Sequence, residues 1–245
     1  MNSTTEGLSS TLSRQEGQDP AAVWAPLTNL AEAAAQYAND STTVAINRGF
    51  DRKARERARA LRQLLNERGV NVTEITPAPD SEELLDDARV NSVVNLVGTG
   101  SWQPYRLAAK EGAALLAPCP EESEPGESVR RDVIAMTRQD STRDAALTRV
   151  VIVPETPEES SITLTRAGEP LSVPGGEVTI TLHEGLLDVR LRGSDYAEQR
   201  FTAERLSVET HGAPHRLVRD EMPVAEFEGT LDFTCEQDGL VVHSV

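Results

Sequence analysis

The sequence is poor in the features that usually narrow a function. Aromatic residues occupy 4% of its 245 positions, as four Phe, three Tyr and two Trp. With 38% apolar residues, a core has to be built mainly from Val, Leu, Ile and Ala, with few large anchors. No stretch approaches the roughly 18 apolar residues of a membrane span, and no basic segment followed by an apolar one opens the chain. A cytoplasmic protein with no transmembrane segment is therefore expected. Cysteine is scarce too: Cys119 and Cys235 are far apart, outside any CxxC pair and away from a His at ligand spacing, so no zinc site is read. Lysine is almost missing, with Lys53 and Lys110 beside 22 Arg.

Acid is abundant. Forty Asp and Glu against 24 Lys and Arg give a formal charge of −16 and a pI near 4.7. Such a balance argues against non-specific nucleic-acid binding, which needs a net supply or a concentrated patch of basic residues to neutralise phosphates. It is also the balance of proteins from salt-rich cytoplasms, where dense carboxylates hold water and salt screens their repulsion. An ordinary acidic protein is the alternative. The four histidines are His183, His211, His215 and His243. His211 and His215 stand four apart, yet Gly212 and Pro214 break any helix between them, so a turn with exposed imidazoles and no metal is expected.

Residues 1–19 are rich in Ser, Thr, Gln and Gly, with too little apolar content to offset ordering entropy, and read as a disordered tail. From Pro20, the spacing of Val23, Leu27, Leu30, Ala34 and Tyr37 predicts an amphipathic helix. Strands and helices then alternate. Thr43–Ile46 is a β-branched strand. Asp51 is a plausible N-cap for a helix whose apolar stripe is Ala54, Ala58, Leu61 and Leu65, closed at Gly69. Residues 70–75 alternate as a strand, and residues 79–89 carry a helix cap signal at Asp80 or Ser81. Residues 92–97 read as a strand buried on both faces, followed by a short helix at 103–112 and a strand from 113. This is an α/β domain over 20–117, with a parallel, Rossmann-like sheet. Residues 118–149 read as a Pro- and Glu-rich linker followed by helices. From 150 to 245, short β-rich segments recur near every ten residues between Gly, Pro and acidic turns, which predicts an all-β antiparallel, sandwich-like domain.

In an open parallel sheet, ligands lie beyond the carboxyl ends of the strands. Two loops fall there: Asn47, Arg48 and Gly49 after the first strand, and Gly98, Thr99, Gly100 and Ser101 after the buried one. Glycines admit a phosphate to the backbone, and Asn, Thr and Ser side chains can bond its oxygens. Arg48 and Lys53 stand beside the first loop as counter-charges, while Arg106 and Lys110 share a face of the helix after the second. Trp102 follows the glycines, where an indole can stack on a base or pack under the helix. Neither loop is a Walker loop or a dinucleotide fingerprint. A tight turn alone also accounts for Gly-Thr-Gly, and no catalytic residue can be named.

The order of segments resembles the diacylglycerol kinase and NAD kinase superfamily, whose members run from an α/β domain into a C-terminal β-domain. Its first strand ends in an Asn-Pro-x-Ser-Gly-like turn, matched here by Asn47 and loosely by Gly49. Its Gly-Gly-Asp-Gly-Thr loop aligns with Val97, Gly98, Thr99, Gly100 and Ser101, so that Thr99 stands where Asp is expected. Its lipid-kinase branch ends in an acidic turn and two strands, a layout similar to Asp220, Glu221 and Pro223 followed by Leu240–Val242.

The resemblance implies a nucleotide or small phosphorylated ligand and ATP with Mg²⁺ as cofactor. The departure at Thr99 implies a degenerate member with weak or no kinase activity. Two other readings stand beside it. One is a non-enzymatic scaffold or homo-oligomer that uses the β-domain's sheet edges; the other is a Rossmann-like domain for a different nucleotide. The acidity itself is testable: if it reflects a salt-rich host, the melting temperature should rise from about 0.15 M to about 1 M NaCl. A melting temperature that is flat or falls with salt identifies an ordinary acidic protein.

Overall fold

The computed structural model describes residues 27–85, 87–98, 100–117, 126–193 and 196–245. The tail expected at 1–19, the start of the first helix, Thr99, Cys119 and most of the Pro- and Glu-rich stretch lie outside these residues.

The N-terminal half alternates as its hydrophobic pattern demands. Helix α1 (Leu27–Tyr37) buries Leu30, Ala31 and Ala34. Strand β1 (Thr43–Arg48) leads to α2 (Arg52–Asn66), which opens where the Asp51 carboxylate accepts a 2.8 Å hydrogen bond from the Ala54 amide. The expected stripe of Ala54, Ala58, Leu61 and Leu65 is the buried face of α2. Strands β2 (Asn71–Ile75), β3 (Val90–Leu96) and β4 (Ala114–Ala117) follow, with α3 (Gln103–Glu111) between the last two. All four strands are parallel, in the order β2-β1-β3-β4.

Successive side chains in a strand point to opposite faces, and both faces are buried here. Val44 and Ile46 of β1, Val94 of β3 and Leu116 of β4 pack with α1 and α2. Ala45, Val93 and Leu115 pack with Leu107, Ala108 and Ala109 of α3. The β-branched runs are therefore the middle layer of a helix–sheet–helix sandwich.

Two helix expectations fail. Residues 79–89 form only a 3-10 turn, Pro79–Leu85. The Ser81 hydroxyl turns back to the Ala78 carbonyl at 2.7 Å. It thus competes with the helix it was expected to cap. Residues 128–149 are not helical but a hairpin, β5 (Ser128–Arg138) and β6 (Arg143–Ala146). Val133 and Met136 suit either period. The long neighbouring strand supplies β5 with partners from Arg138 to Ser128, and that pairing decides the outcome.

The remaining strands are β7 (Arg149–Pro154), β8 (Ser160–Arg166), β9 (Glu169–Pro174), β10 (Glu177–His183), β11 (Leu186–Gly193), β12 (Tyr196–Ala203), β13 (Arg205–Arg219) and β14 (Met222–Ser244). They form the expected antiparallel β-region, in which β9 is a strand that its flanking prolines conceal. Strands β13 and β14 meet through Asp220 and Glu221, both at positive φ (47° and 67°), which is the two-residue hairpin geometry that matches strand twist. Strand β13 pairs with β8 over Ser207–Gly212 and with β7 over His215–Arg219, so it passes from one layer to the other. The change occurs at a bulge containing Gly212, whose φ is +80° and where a Cβ would stand 2.1 Å from the Glu159 carbonyl oxygen. Only glycine fits there.

The histidines correct a second expectation. His211 and His215 lie within β13, not in an exposed turn. His211 is exposed, but His215 is fully buried, and neither of its ring nitrogens meets a hydrogen-bond partner. Burial pushes the His215 imidazole pKa down. His243 on β14 sits 2.7 Å from the Ser128 hydroxyl and 2.6 Å from that of Tyr37, joining β5 to α1. Its pKa is lowered as well, by burial and by Arg130.

A histidine depressed in the fold is neutral there while the unfolded chain takes up protons near the ordinary value of about 6.5. Stability is thus full above about pH 6.5 and falls as pH drops through that value toward the folded pKa. Denaturant midpoints measured from about pH 7.5 to about 5.5 should decline. His215→Leu should flatten the decline, and an unchanged slope in that variant removes His215 as its source.

Candidate functional site

The carboxyl ends of β1, β2 and β3 gather the N-terminal loops at one edge of the parallel sheet. Asn47 is fully buried there and donates to Gln103 Oε1 at 3.1 Å. Gln103 in turn donates to the Thr76 carbonyl at 3.1 Å and to Glu82 Oε1 at 3.4 Å. Glu82 also lies 3.5 Å from Arg106. One chain of polar contacts therefore fixes the ends of β1 and β2 to the start of α3. Buried amides need such partners, so this network sets the loop positions.

The glycine loop is shaped by a residue that the sequence reading passed over. Asn95, 1% exposed, accepts from the Val97 and Gly98 amides at 2.9 and 3.2 Å and donates to the Gly98 carbonyl at 3.1 Å. Gly98 is buried at φ +107°, and its amide is engaged by Asn95. Gly100 and Ser101 continue to the surface and open into a cleft.

That cleft, of about 1070 Å³, lies between the α/β and β regions. Gly100, Ser101, Trp102, Gln103, Arg106 and Lys110 line its α/β wall. From the opposite side come Arg138, Arg143 and Arg219, with Met222 and Val224 at the β13–β14 turn. Five cationic side chains thus line one opening in a strongly acidic protein, together with the carboxylates of Glu82, Glu83, Asp140 and Asp144.

Two of the five are deeply set. Arg219 is 8% exposed and pairs with Asp144, yet its Nε is buried without a partner, as is that of Arg106. Burial, with Arg106 next in weight, pushes the Arg219 pKa down to about 10. It therefore remains cationic at neutral pH. Arg143 is already committed: it donates to the Lys110 and Ala109 carbonyls at 2.9 and 3.1 Å and pairs with Glu236 at 2.6 Å, capping the C-terminal end of α3.

The other sequence candidates lie elsewhere. Arg48 pairs with Glu74 at 3.0 Å and donates to the Gly49 carbonyl. Lys53 is exposed on α2, and Gly49 packs near Asp51 and Ala54. Gly100 and Ser101 do line the cleft; Asn47 acts through Gln103; Thr99 lies outside the described residues. The acidic turn is not simply solvated. Asp220 is 7% exposed, and its carboxylate accepts from the Leu147, Thr148 and Arg149 amides and the Thr148 hydroxyl. This carboxylate holds the β6–β7 turn. Arg106 and Lys110, read from sequence as sharing a face of α3, both line the cleft, but Arg138, Arg143 and Arg219 carry no local signal because strand pairing alone brings them to the opening.

An Mg²⁺ ion needs oxygen ligands free to converge on it. The cleft carboxylates with defined partners are engaged: Glu82 by Gln103 and Arg106, Asp144 by Arg219, and Asp140 by Thr142. Hydrogen bonding from Thr142 holds the Asp140 pKa below its ordinary value. Among the described residues, no three His, Cys, Asp or Glu side chains are grouped to hold a metal. The residues present do not fit a protein-held Mg²⁺ site, whereas the arginine set fits an anion.

No family model matches the chain, and no curated protein matches it. Among solved structures, it is similar to an NAD kinase from Archaeoglobus fulgidus in complex with ATP. The identity is 13%, over 83% of this chain and 94% of that one, with a TM-score of 0.45. It is also similar to a yeast NADH kinase complexed with NADH, at 12% identity over 84% of each chain and a TM-score of 0.46.

The Asp220 contacts generate a stability prediction. Asp220→Ala would remove the hydrogen bonds that the buried carboxylate accepts from the β6–β7 turn, at a cost of about 1 to 3 kcal/mol. Urea unfolding should show it, and a loss below about 1 kcal/mol contradicts this assignment of Asp220.

Proposed function

We propose that the chain binds a nucleotide or another small phosphorylated ligand in the cleft between its two regions, as a divergent diacylglycerol/NAD kinase-like protein with weak or no phosphoryl transfer. The observation that carries this reading is the convergence of Arg106, Lys110, Arg138 and Arg219 on Gly100 and Ser101 at the start of α3. Guanidinium groups offer planar forks of donors to phosphate oxygens, and a helix N-terminus adds unpaired amides. Arg106 and Arg219 line the cleft although their Nε atoms are buried without a partner. Trp102, 41% exposed on the same wall, presents a flat apolar surface to the rest of a ligand.

Weak or absent transfer follows from what the cleft holds. Phosphoryl transfer requires a metal held by carboxylates and a group that orients the nucleophile. Here Glu82, Asp140 and Asp144 are tied to neighbouring side chains and amides, Glu83 alone is left on the cleft wall without an ion pair among the described residues, and the aligned position of the superfamily's loop Asp is Thr99. ATP is the cofactor this reading favours, with any Mg²⁺ arriving on the nucleotide itself. No helix of the described residues is long and apolar enough to cross a membrane, and a cytoplasmic site of action fits this ligand class.

The alternative is a scaffold that uses β-sheet edges, and the edge strand β12 disfavours it. Glu198 on β12 is paired with Arg190 and Arg192, and Arg200 on β12 with Asp188. Charges ranked along an edge oppose edge-to-edge pairing.

Thermal unfolding with ATP, NAD and pyrophosphate tests the proposal. A ligand at about a hundred times its Kd stabilises by about 2.7 kcal/mol, a rise of several degrees for a chain of this size. Arg106→Gln and the more exposed Arg138→Gln should each weaken that rise while leaving the ligand-free protein folded. No rise with any of the three ligands, or a rise indifferent to both variants, overturns the assignment.

A further inference from the structure

The β region is a sandwich joined along one side only. Strand β13 passes from one layer to the other and links them there, whereas the far side lies between two edge strands, β9 of the layer β13-β8-β9 and β12 of the larger one. Side chains that face inward at such a margin cannot be covered all round. Leu171 of β9 and Phe201 of β12 pack against the core yet stay only partly buried. With the buried Leu164 of β8 they floor a groove of about 520 Å³, a size that suits a small organic ligand.

One side chain in the groove breaks the pattern of its strand. Ile162 and Leu164 of β8 lie in the core, and the period of two directs Arg166 to the same face. A guanidinium therefore stands where an apolar residue is expected. It lies over the Phe201 ring, 4.9 Å from the centroid, and makes no ion pair or hydrogen bond among the described residues. Stacking occupies the flat face of a guanidinium and leaves its in-plane N–H groups to bond an anion.

The neighbouring charges define which anion. Arg200 is committed, since two of its nitrogens donate to Asp188 at 2.9 and 2.7 Å. Glu169, opposite Arg166 in the β8–β9 hairpin, lines the groove without an ion pair among the described residues. One open cation beside one carboxylate suits a single negative charge and disfavours a polyphosphate, because like charges brought together at a binding surface are costly.

We infer that this groove binds a small amphipathic monoanion, an aliphatic or aromatic carboxylate or sulfonate. Its acidic group meets the Arg166 fork, and its apolar body lies on Leu164, Leu171 and Phe201. An extended peptide suits the groove less well, because a charge pointing inward at a sheet margin discourages the pairing of a further strand. The site is separate from the cleft. Strand β13 passes this hairpin at Ser207 and reaches the cleft at Arg219, twelve residues further on, so the inference does not depend on what the cleft binds.

The test is titration of the full chain with anilinonaphthalene sulfonate, read by its emission, followed by displacement with octanoate or octanol below micelle-forming concentrations. The sulfonate should bind saturably with a blue shift; octanoate should displace it, and octanol, of the same chain length, should displace it far less. Arg166→Gln should weaken both anions by about fivefold or more at unchanged thermal stability, and Arg166→Lys should recover part of that loss. Pyrophosphate should leave the titration unchanged. Absence of saturable binding, equal displacement by octanol, or undiminished affinity in Arg166→Gln overturns the inference. So does competition by pyrophosphate, which would assign the probe to the cleft. A dimer that forms without the probe and dissociates in Phe201→Ser gives the groove to a second copy and equally overturns it. The comparison of octanoate with octanol uses the unaltered chain, so it decides the role of charge even where a variant folds poorly.

Discussion

One strand holds the two halves of this protein together. β14 runs from Met222 to Ser244, pairing along its first half with β13 and along its second half with β5. Its last residues then join the parallel sheet, Val241 opposite Ala114 and Ser244 opposite Ala117. Backbone pairing of this kind cannot be shifted by one residue without turning every side chain to the wrong face. Leu231 and Phe233 enter the β core, while Leu240 enters the α/β core. The register of β14 therefore fixes the relative placement of both regions.

The cleft follows from that constraint. Arg138, Arg143 and Arg219 sit on strands paired, directly or through a neighbour, to β14, while Arg106 and Lys110 sit on α3 above the parallel sheet. Arg143 ties the two walls by capping α3 and pairing with Glu236 of β14 itself. A charge-assisted clamp at a helix end is stronger than an exposed ion pair because its acceptors are fixed carbonyls. Similar links, His243 with Ser128 and Tyr37, close the opposite side. The cations are thus held in place before any anion arrives, which reduces the ordering cost of binding.

Sequence pattern reached as far as local physics did. The stripe of Ala54, Ala58, Leu61 and Leu65 and the cap at Asp51 specify α2 through contacts within a few residues. The valines of β3 specify a strand buried on both faces. At β5 the same kind of evidence misled, because Val133, Ile134 and Met136 fit either period and the deciding partner, β14, lies about a hundred residues away. His215 was misjudged for a related reason. Gly212 and Pro214 signal a departure from regular structure, but whether that departure is a surface turn or a buried bulge depends on Glu159 and β8 approaching from outside. Of the site, Gly100 and Ser101 were legible from their place after a buried strand. Asn95 and Asp220 were not, since an Asn or Asp that organises backbone amides has the same letter as one that faces a ligand.

The charge distribution sharpens the same point. A net charge of −16 argues about solubility and long-range attraction, and taken alone it would oppose any anionic ligand. Inside the cleft the relevant distances are a few ångströms, shorter than the roughly 8 Å over which salt screens charge. There Arg106 and Arg219 outweigh distant surface carboxylates. Their own neighbours, Glu82 and Asp144, are the competitors that matter. These internal partners keep the arginines from standing uncompensated when the cleft is empty, at the cost of having to be displaced when it fills. An anion that binds must offer each arginine more than one carboxylate oxygen does, and a phosphate group, with several oxygens and up to two charges, meets that requirement where a simple carboxylate does not.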